Sequence, residues 1–158
     1  MSSEKITSNA QILGEVVWLL TKSNLHRDWS IASIEQWVMP AISKQRFRLY
    51  HDGDQPVGYV SWAHMSKRAE RAYVQNTRLL SPDDWESGDR LWFVDFITPF
   101  GHAKRVSRDL KSNIFPDDVG RVLRWREGSD ILSIFYVHGQ NAIKKAKDRS
   151  VSTTVELM

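Results

Sequence analysis

A chain of 158 residues, 41% hydrophobic and 26% charged, is long enough to bury its own core without staples and fits one domain spanning 1–158. It has no cysteine, which removes disulfides, thiolate nucleophiles and cysteine zinc sites and suits a reducing cytoplasm, the expected location. The net charge of +3 is uneven: residues 1–100 carry 11 Lys/Arg against 12 Asp/Glu, whereas residues 101–158 carry 11 against 7. A basic C-terminal part favours an acidic partner, either nucleic acid or a small acidic protein.

Residues 8–22 read as a helix, with Ser8 and Gln11 as a capping box and an apolar stripe through Ile12, Leu13, Val16, Leu19 and Leu20. Residues 23–30 are a polar break. Ser30 is an N-cap candidate for a helix at 31–44, with Trp29 and Ile34 at staple positions and Pro40 set to kink it or end it early. The period then changes to that of strands. Phe47–His51 and Val57–Ala63 read as a hairpin about the turn Asp52-Gly53-Asp54. A short helix is expected over 66–75, and Ser81-Pro82-Asp83-Asp84 is a turn or helix start.

Leu91–Ile97 is a continuous apolar run, the pattern of a central buried strand, and Pro99-Phe100-Gly101 breaks it. A basic helix is expected at 102–113. Two strands, Arg121–Trp125 and Ile131–Val137, follow about a turn at 127–129. A short basic helix is expected at 139–149 and a tail at 150–158. The order implies an α+β (α/β three-layer) domain, a central mixed sheet flanked by helices. The N-terminus lacks a signal-peptide pattern, and no apolar run approaches the ~20 residues of a membrane span. Seven tryptophans suggest an aromatic core or an apolar groove, with core packing expected for about five of them.

Two longer strings are more specific. One is Ser23-Asn24-Leu25-His26-Arg27-Asp28-Trp29, after a helix containing Trp18. The other runs from Trp85 through Leu91-Trp92-Phe93-Val94-Asp95-Phe96-Ile97 to Gly101, with Pro56–Ala63 between the two. In residue type, order and spacing, roughly residues 11–126 resemble the hemolysin-C-like toxin-activating lysine acyltransferases. Relatives often carry Pro in place of Asn24 and Trp in place of Phe96. The resemblance implies a fold like that of the Gcn5-related N-acetyltransferases, although the glycine-rich phosphate loop of that fold is missing here. It implies transfer of a fatty acyl group from acyl-acyl carrier protein to internal lysines of an RTX protoxin, with no tightly bound cofactor, and it suggests a homodimer. Its catalytic histidine and aspartate map onto His26 and Asp95, and a nearby serine onto Ser23.

The chemistry is compatible with those residues. A lysine amine is protonated at neutral pH, so its proton must be taken and a tetrahedral oxyanion stabilised. His26, in a polar break, can serve as base or as a nucleophile forming an acyl-imidazole. Asp95, within a buried run, needs a partner, for which an imidazole N–H is suited. Taken alone, His26 reads equally well as a cap or surface histidine, Asp95 as a structural ion-pair partner, and Ser23 as a cap.

Gly101, His102, Lys104, Arg105 and Arg121 are candidates for the donor side, the alternative being a solvated basic face. Trp62, Phe93 and Phe96 wall an acyl groove or simply pack the core. The remaining histidines show no ligand spacing, so no metal is expected. Two other functions remain open. A coenzyme-A-dependent N-acetyltransferase of a small amine would differ in donor preference. A basic nucleic-acid-binding domain, not expected here, would show steep salt dependence.

Overall fold

The computed structural model describes residues 2–125 and 132–142. The expected turn at 127–129, most of the helix at 139–149 and the tail at 150–158 lie outside them. Residues 139–142 form a turn.

The chain runs α1 (Ser2–Thr21), α2 (Ile31–Trp37), α3 (Met39–Ser43), β1 (Phe47–Asp52), β2 (Gln55–Met65) and α4 (Lys67–Gln75). It continues through β3 (Arg90–Ile97), α5 (Ala103–Asp109), a π turn at Leu110–Ile114, β4 (Val119–Trp125) and β5 (Leu132–His138). Ser8 is no cap, because α1 starts at Ser2; no Gly or Pro among the residues before Ser8 halts the helix. Ser30 does cap α2, accepting from Ser33 N–H at 3.1 Å. Pro40 ends that helix early. A new one begins at Met39 with the proline at its second position, where the missing N–H needs no partner. Ser66 caps α4 in the same way as Ser30, accepting from Ala69 N–H at 3.1 Å.

The sheet order is β1-β2-β3-β4-β5, so the apolar run expected to be central is central. All neighbours are antiparallel except β3 and β4, which are joined by the crossover through α5 and are parallel. This pair matches at two positions only, Trp92 with Arg121 and Phe93 with Val122. Beyond them, Val94–Ile97 of β3 have no partner on β4, so the two strands part toward their C-terminal ends.

One face carries α1 to α4: Val16, Leu19, Val38, Tyr59 and Ile97 form one cluster, and Met65, Tyr73, Trp85 and Trp92 another. The opposite face carries α5, with Val57, Val60, Trp62, Phe93, Val106 and Leu110. The resulting three layers are the expected α+β architecture and are consistent with a Gcn5-related-like arrangement. Among the tryptophans, Trp62, Trp85 and Trp92 are buried, Trp29 and Trp37 are half-buried against the clusters, and Trp18 is exposed.

Candidate active site

Ser23 and His26 lie in the tight turn that follows α1. Main-chain bonds from His26 N–H to Ser23 O (3.0 Å) and from Trp29 N–H to His26 O (3.0 Å) hold this turn. The spacing of three places the two side chains together, with Ser23 Oγ 2.6 Å from His26 Nδ1. The imidazole edge rests on Trp29 (4.7 Å between centroids, near perpendicular), and Trp29 contacts Trp37 at 5.1 Å. The ring is therefore held at one nitrogen and packed on one side.

Asp95 reaches the same place from β3. Ser61 pairs with Asp95 but Trp62 pairs with Phe93, so Val94 is an extra residue, a β-bulge. The bulge shifts the alternation of the strand. Trp92 and Val94 pack in the cluster under α4, and Ile97 in the cluster under α1. Asp95, in register with Ser61, therefore falls on the helix-covered face carrying α1 to α4 and not on the α5 face. Ser61 Oγ accepts from Asp95 N–H at 3.1 Å.

His26 Nε2 lies 3.7 Å from Asp95 Oδ1, with side-chain exposures of 13% and 8%. That is ion-pair distance but too long for a hydrogen bond. The direct imidazole–carboxylate bond expected from the sequence is not made, and the group that holds the imidazole is Ser23. Asp95 Oδ2 is buried and has no hydrogen-bond partner among the described residues. Two tyrosines, Tyr59 on β2 and Tyr73 on α4, have their hydroxyl pKa raised by burial and then by the charge of Asp95.

The donor-side candidates do not form one group. His102 Nε2 and Arg105 Nη1 both bind the carboxylate of Asp52, at 3.0 and 2.5 Å, and together they hold the Asp52 carboxyl below its usual range, the Arg105 bond contributing most. Gly101 turns the chain into α5 at φ +93°, a conformation that suits glycine. Lys104 is exposed on the first turn of α5.

Arg121 lies on the other face. Its guanidinium is 3.7 Å from Glu70 of α4 and within 5.9 Å of the Tyr136 ring. Glu70, 1% exposed, also accepts from Arg90 Nη1 (2.9 Å) and Trp92 Nε1 (2.8 Å). Arg121 thus belongs to a buried ion network.

Trp62 and Phe93 do come together, around Phe115, and Phe96 packs against the same cluster, but under α5 and on the face away from Asp95. Gly120 makes room for them, since a Cβ there would sit 2.3 Å from the Phe93 ring. A concavity of about 420 Å³ also lies between β1 and α5, lined by Arg48, Tyr50, Arg105, Arg108, Asp109 and Asn113.

Sequence reasoning missed Tyr59, Ser61, Tyr73 and Glu70. Two patterns carried the information. Tyr59 and Ser61 are the two hydroxyl residues within the apolar run Val57–Ala63, two apart and so on one face of the strand, and Glu70 and Tyr73 share the face of α4 that carries the apolar Ala69.

A model of the RTX toxin acyltransferase family matches residues 5–137. The RTX-II toxin-activating lysine-acyltransferase ApxIIC of Actinobacillus pleuropneumoniae is 34% identical over 92% of this chain and 91% of its own length. The leukotoxin-activating lysine-acyltransferase LktC (serotype A1) of Mannheimia haemolytica is 32% identical over 92% and 87%. The protein-lysine myristoyltransferase RtxC of Kingella kingae is 35% identical over 84% and 79%. With likeness along nearly its whole length, the chain belongs to the RTX toxin acyltransferase family and is an acyltransferase.

Proposed function

We propose that this enzyme transfers a fatty acyl group from the thioester of acyl carrier protein to lysine ε-amino groups of an RTX protoxin. Relatives named for lysine acylation and toxin activation support the acceptor. The observation that carries the chemistry is the gap between His26 Nε2 and Asp95 Oδ1 on the helix-covered face.

His26 acts through an unprotonated Nε2, so Nδ1 holds the proton and donates it to Ser23 Oγ. Nε2 and Oδ1 are then two acceptors facing each other across 3.7 Å. A lysine ammonium entering there donates to both. His26 takes its proton, and the freed amine attacks the thioester carbonyl. The C–N bond forms and the C–S bond breaks; the thiolate leaves with the proton from the histidine, and the nitrogen sheds its second proton through the Asp95 carboxylate to solvent. In the alternative course, Nε2 itself first accepts the acyl group and the lysine then attacks the acyl-imidazole. Both courses need the same tautomer, which Ser23 enforces.

The donor would dock on cations that have no ion pair among the described residues. Lys104, Arg108 and Lys111 are exposed along α5 and its continuation, whereas Arg105 is paired with Asp52. An acidic carrier protein with a phosphate-bearing arm suits that face.

The test is co-expression with an RTX protoxin, followed by mass spectrometry of its lysines. Wild type should leave an amide-linked fatty acyl mass, and His26→Ala should leave none while melting normally. Near-wild-type acylation by His26→Ala would sink the assignment. Charge reversal of Lys104 and Arg108 together should weaken use of the carrier-protein thioester at low salt. Unchanged donor KM would remove the docking face.

A further inference from the structure

The two oxygens of Asp95 have different surroundings. Oδ1 faces His26, whereas Oδ2 is buried without a hydrogen bond among the described groups. A buried carboxylate oxygen is seldom left so. A second buried polar atom lies on the same face, the hydroxyl of Tyr59, a residue 0% exposed; the Ser61 side chain is beside it, without a well-formed hydrogen bond between them, and no other described group bonds it. The β2–β3 register brings them close: Ser61 stands opposite Asp95 and Tyr59 opposite Ile97, so Tyr59 is the diagonal neighbour of Asp95.

Between them stands Ser61, also 0% exposed. Its Oγ already accepts from Asp95 N–H, which leaves its own proton to give. One donor, one carboxylate acceptor and one hydroxyl make the two to four polar partners that a buried water keeps. Burial and the charge of Asp95 raise the Tyr59 pKa, so the hydroxyl stays protonated and serves a carboxylate only as donor.

We propose that Tyr59 is a positioning residue for Asp95, its hydroxyl acting on Oδ2 through one water that Ser61 also holds, which leaves Oδ1 aimed at the incoming lysine amine. The inference rests on the His26–Asp95 assignment above. Tyr59 is fully buried, so it acts through the carboxylate and not on the substrate. The titratable groups that face Asp95 are His26 from the loop, Tyr59 from β2 and Tyr73 from α4.

The experiment measures acyl transfer to purified protoxin by Tyr59→Phe, with carrier-protein and coenzyme A thioesters both supplied. A hydrogen bond to a charged group is lost, so kcat should fall about tenfold with the protoxin KM unchanged. The loss should be equal with either thioester, because Oδ1 of Asp95 faces the acceptor amine and not the donor. Folding should hold, because Tyr59→Phe keeps the aromatic ring in its buried cluster. Ser61→Ala should act in the same direction. The double variant should be no worse than the worse single one, because both act on one water.

A wild-type rate in Tyr59→Phe would overturn the proposal. A lower rate that comes with a raised protoxin KM or a lowered melting temperature would overturn it too, marking a packing role. His26→Ala in parallel separates the two levels. If it retains transfer, the underlying assignment fails; if it abolishes transfer while Tyr59→Phe is silent, only the Tyr59 inference fails.

Discussion

Replacing Glu70 with Gln should destabilise the fold by about 3 kcal/mol, the low end of what breaking a buried ion pair costs. The figure follows from the surroundings of Glu70. The carboxylate is 1% exposed and receives Arg90 Nη1 at 2.9 Å and Trp92 Nε1 at 2.8 Å, with Arg121 Nε at 3.7 Å. An amide has one accepting end, so one of the two donors loses its bond, and both guanidinium groups lose their counter-charge. The arginine side chains keep 17% and 16% exposure, which lets water recover part of the loss. At ~2–4 °C per kcal/mol for a chain of this size, the melting temperature should drop by about 6–12 °C.

Thermal melts and urea titrations of Glu70→Gln against wild type measure this, with an unchanged m-value as the check that the unfolded state is the same. Arg121→Met should be milder in the Glu70→Gln background than in wild type, by a coupling of ~1–2 kcal/mol, since its partner charge is already gone. The rate per folded molecule should stay close to wild type, because the network holds β3 and β4 together without reaching the His26 gap. A melting temperature within about 2 °C of wild type, or strictly additive losses in the double variant, would refute the reasoning.

Other outcomes follow from the same structure. Ser23→Ala should lower transfer about tenfold by releasing Nδ1, with little change in melting; a wild-type rate would show that the 2.6 Å contact is idle. Gly120→Ala should cost ~1–3 kcal/mol because its Cβ meets the Phe93 ring, and Phe93→Leu should recover part of that in urea titrations; equal losses in both backgrounds would contradict this. Burial, then the charge of Arg46, holds the His64 pKa below its ordinary 6.5. The unfolded chain therefore binds this proton first, so stability present above that value is lost as pH falls through it toward the lower folded value. His64→Gln should flatten that acid-side decline in melting temperature, and an identical slope would refute it.

Helix and strand positions were legible because their causes are local. Ser30 capping α2, Pro40 breaking the 31–44 helix and the Asp52–Asp54 turn each act within a few residues. The one failed cap, Ser8, failed because a good capping residue also tolerates the inside of a helix when nothing before it stops the coil. The donor-side group was less legible. Charge and chain position put Arg121 with Arg105, but strand alternation sends Arg121 to the α4 face, where Glu70 takes it up. The same alternation sends Trp62, Phe93 and Phe96 under α5, away from Asp95.

From residue pattern alone came the α+β order, the central place of the 91–97 run and the two strings that mark His26 and Asp95. Their meeting was decided only in three dimensions. The inserted Val94 turns Asp95 onto the helix-covered face, and the turn after α1 brings His26 to it. The register of β2 then places Ser61 and Tyr59 beside the carboxylate. A bulge and a register are set by packing between segments distant in the chain, and no local preference of Val94 or Tyr59 encodes them.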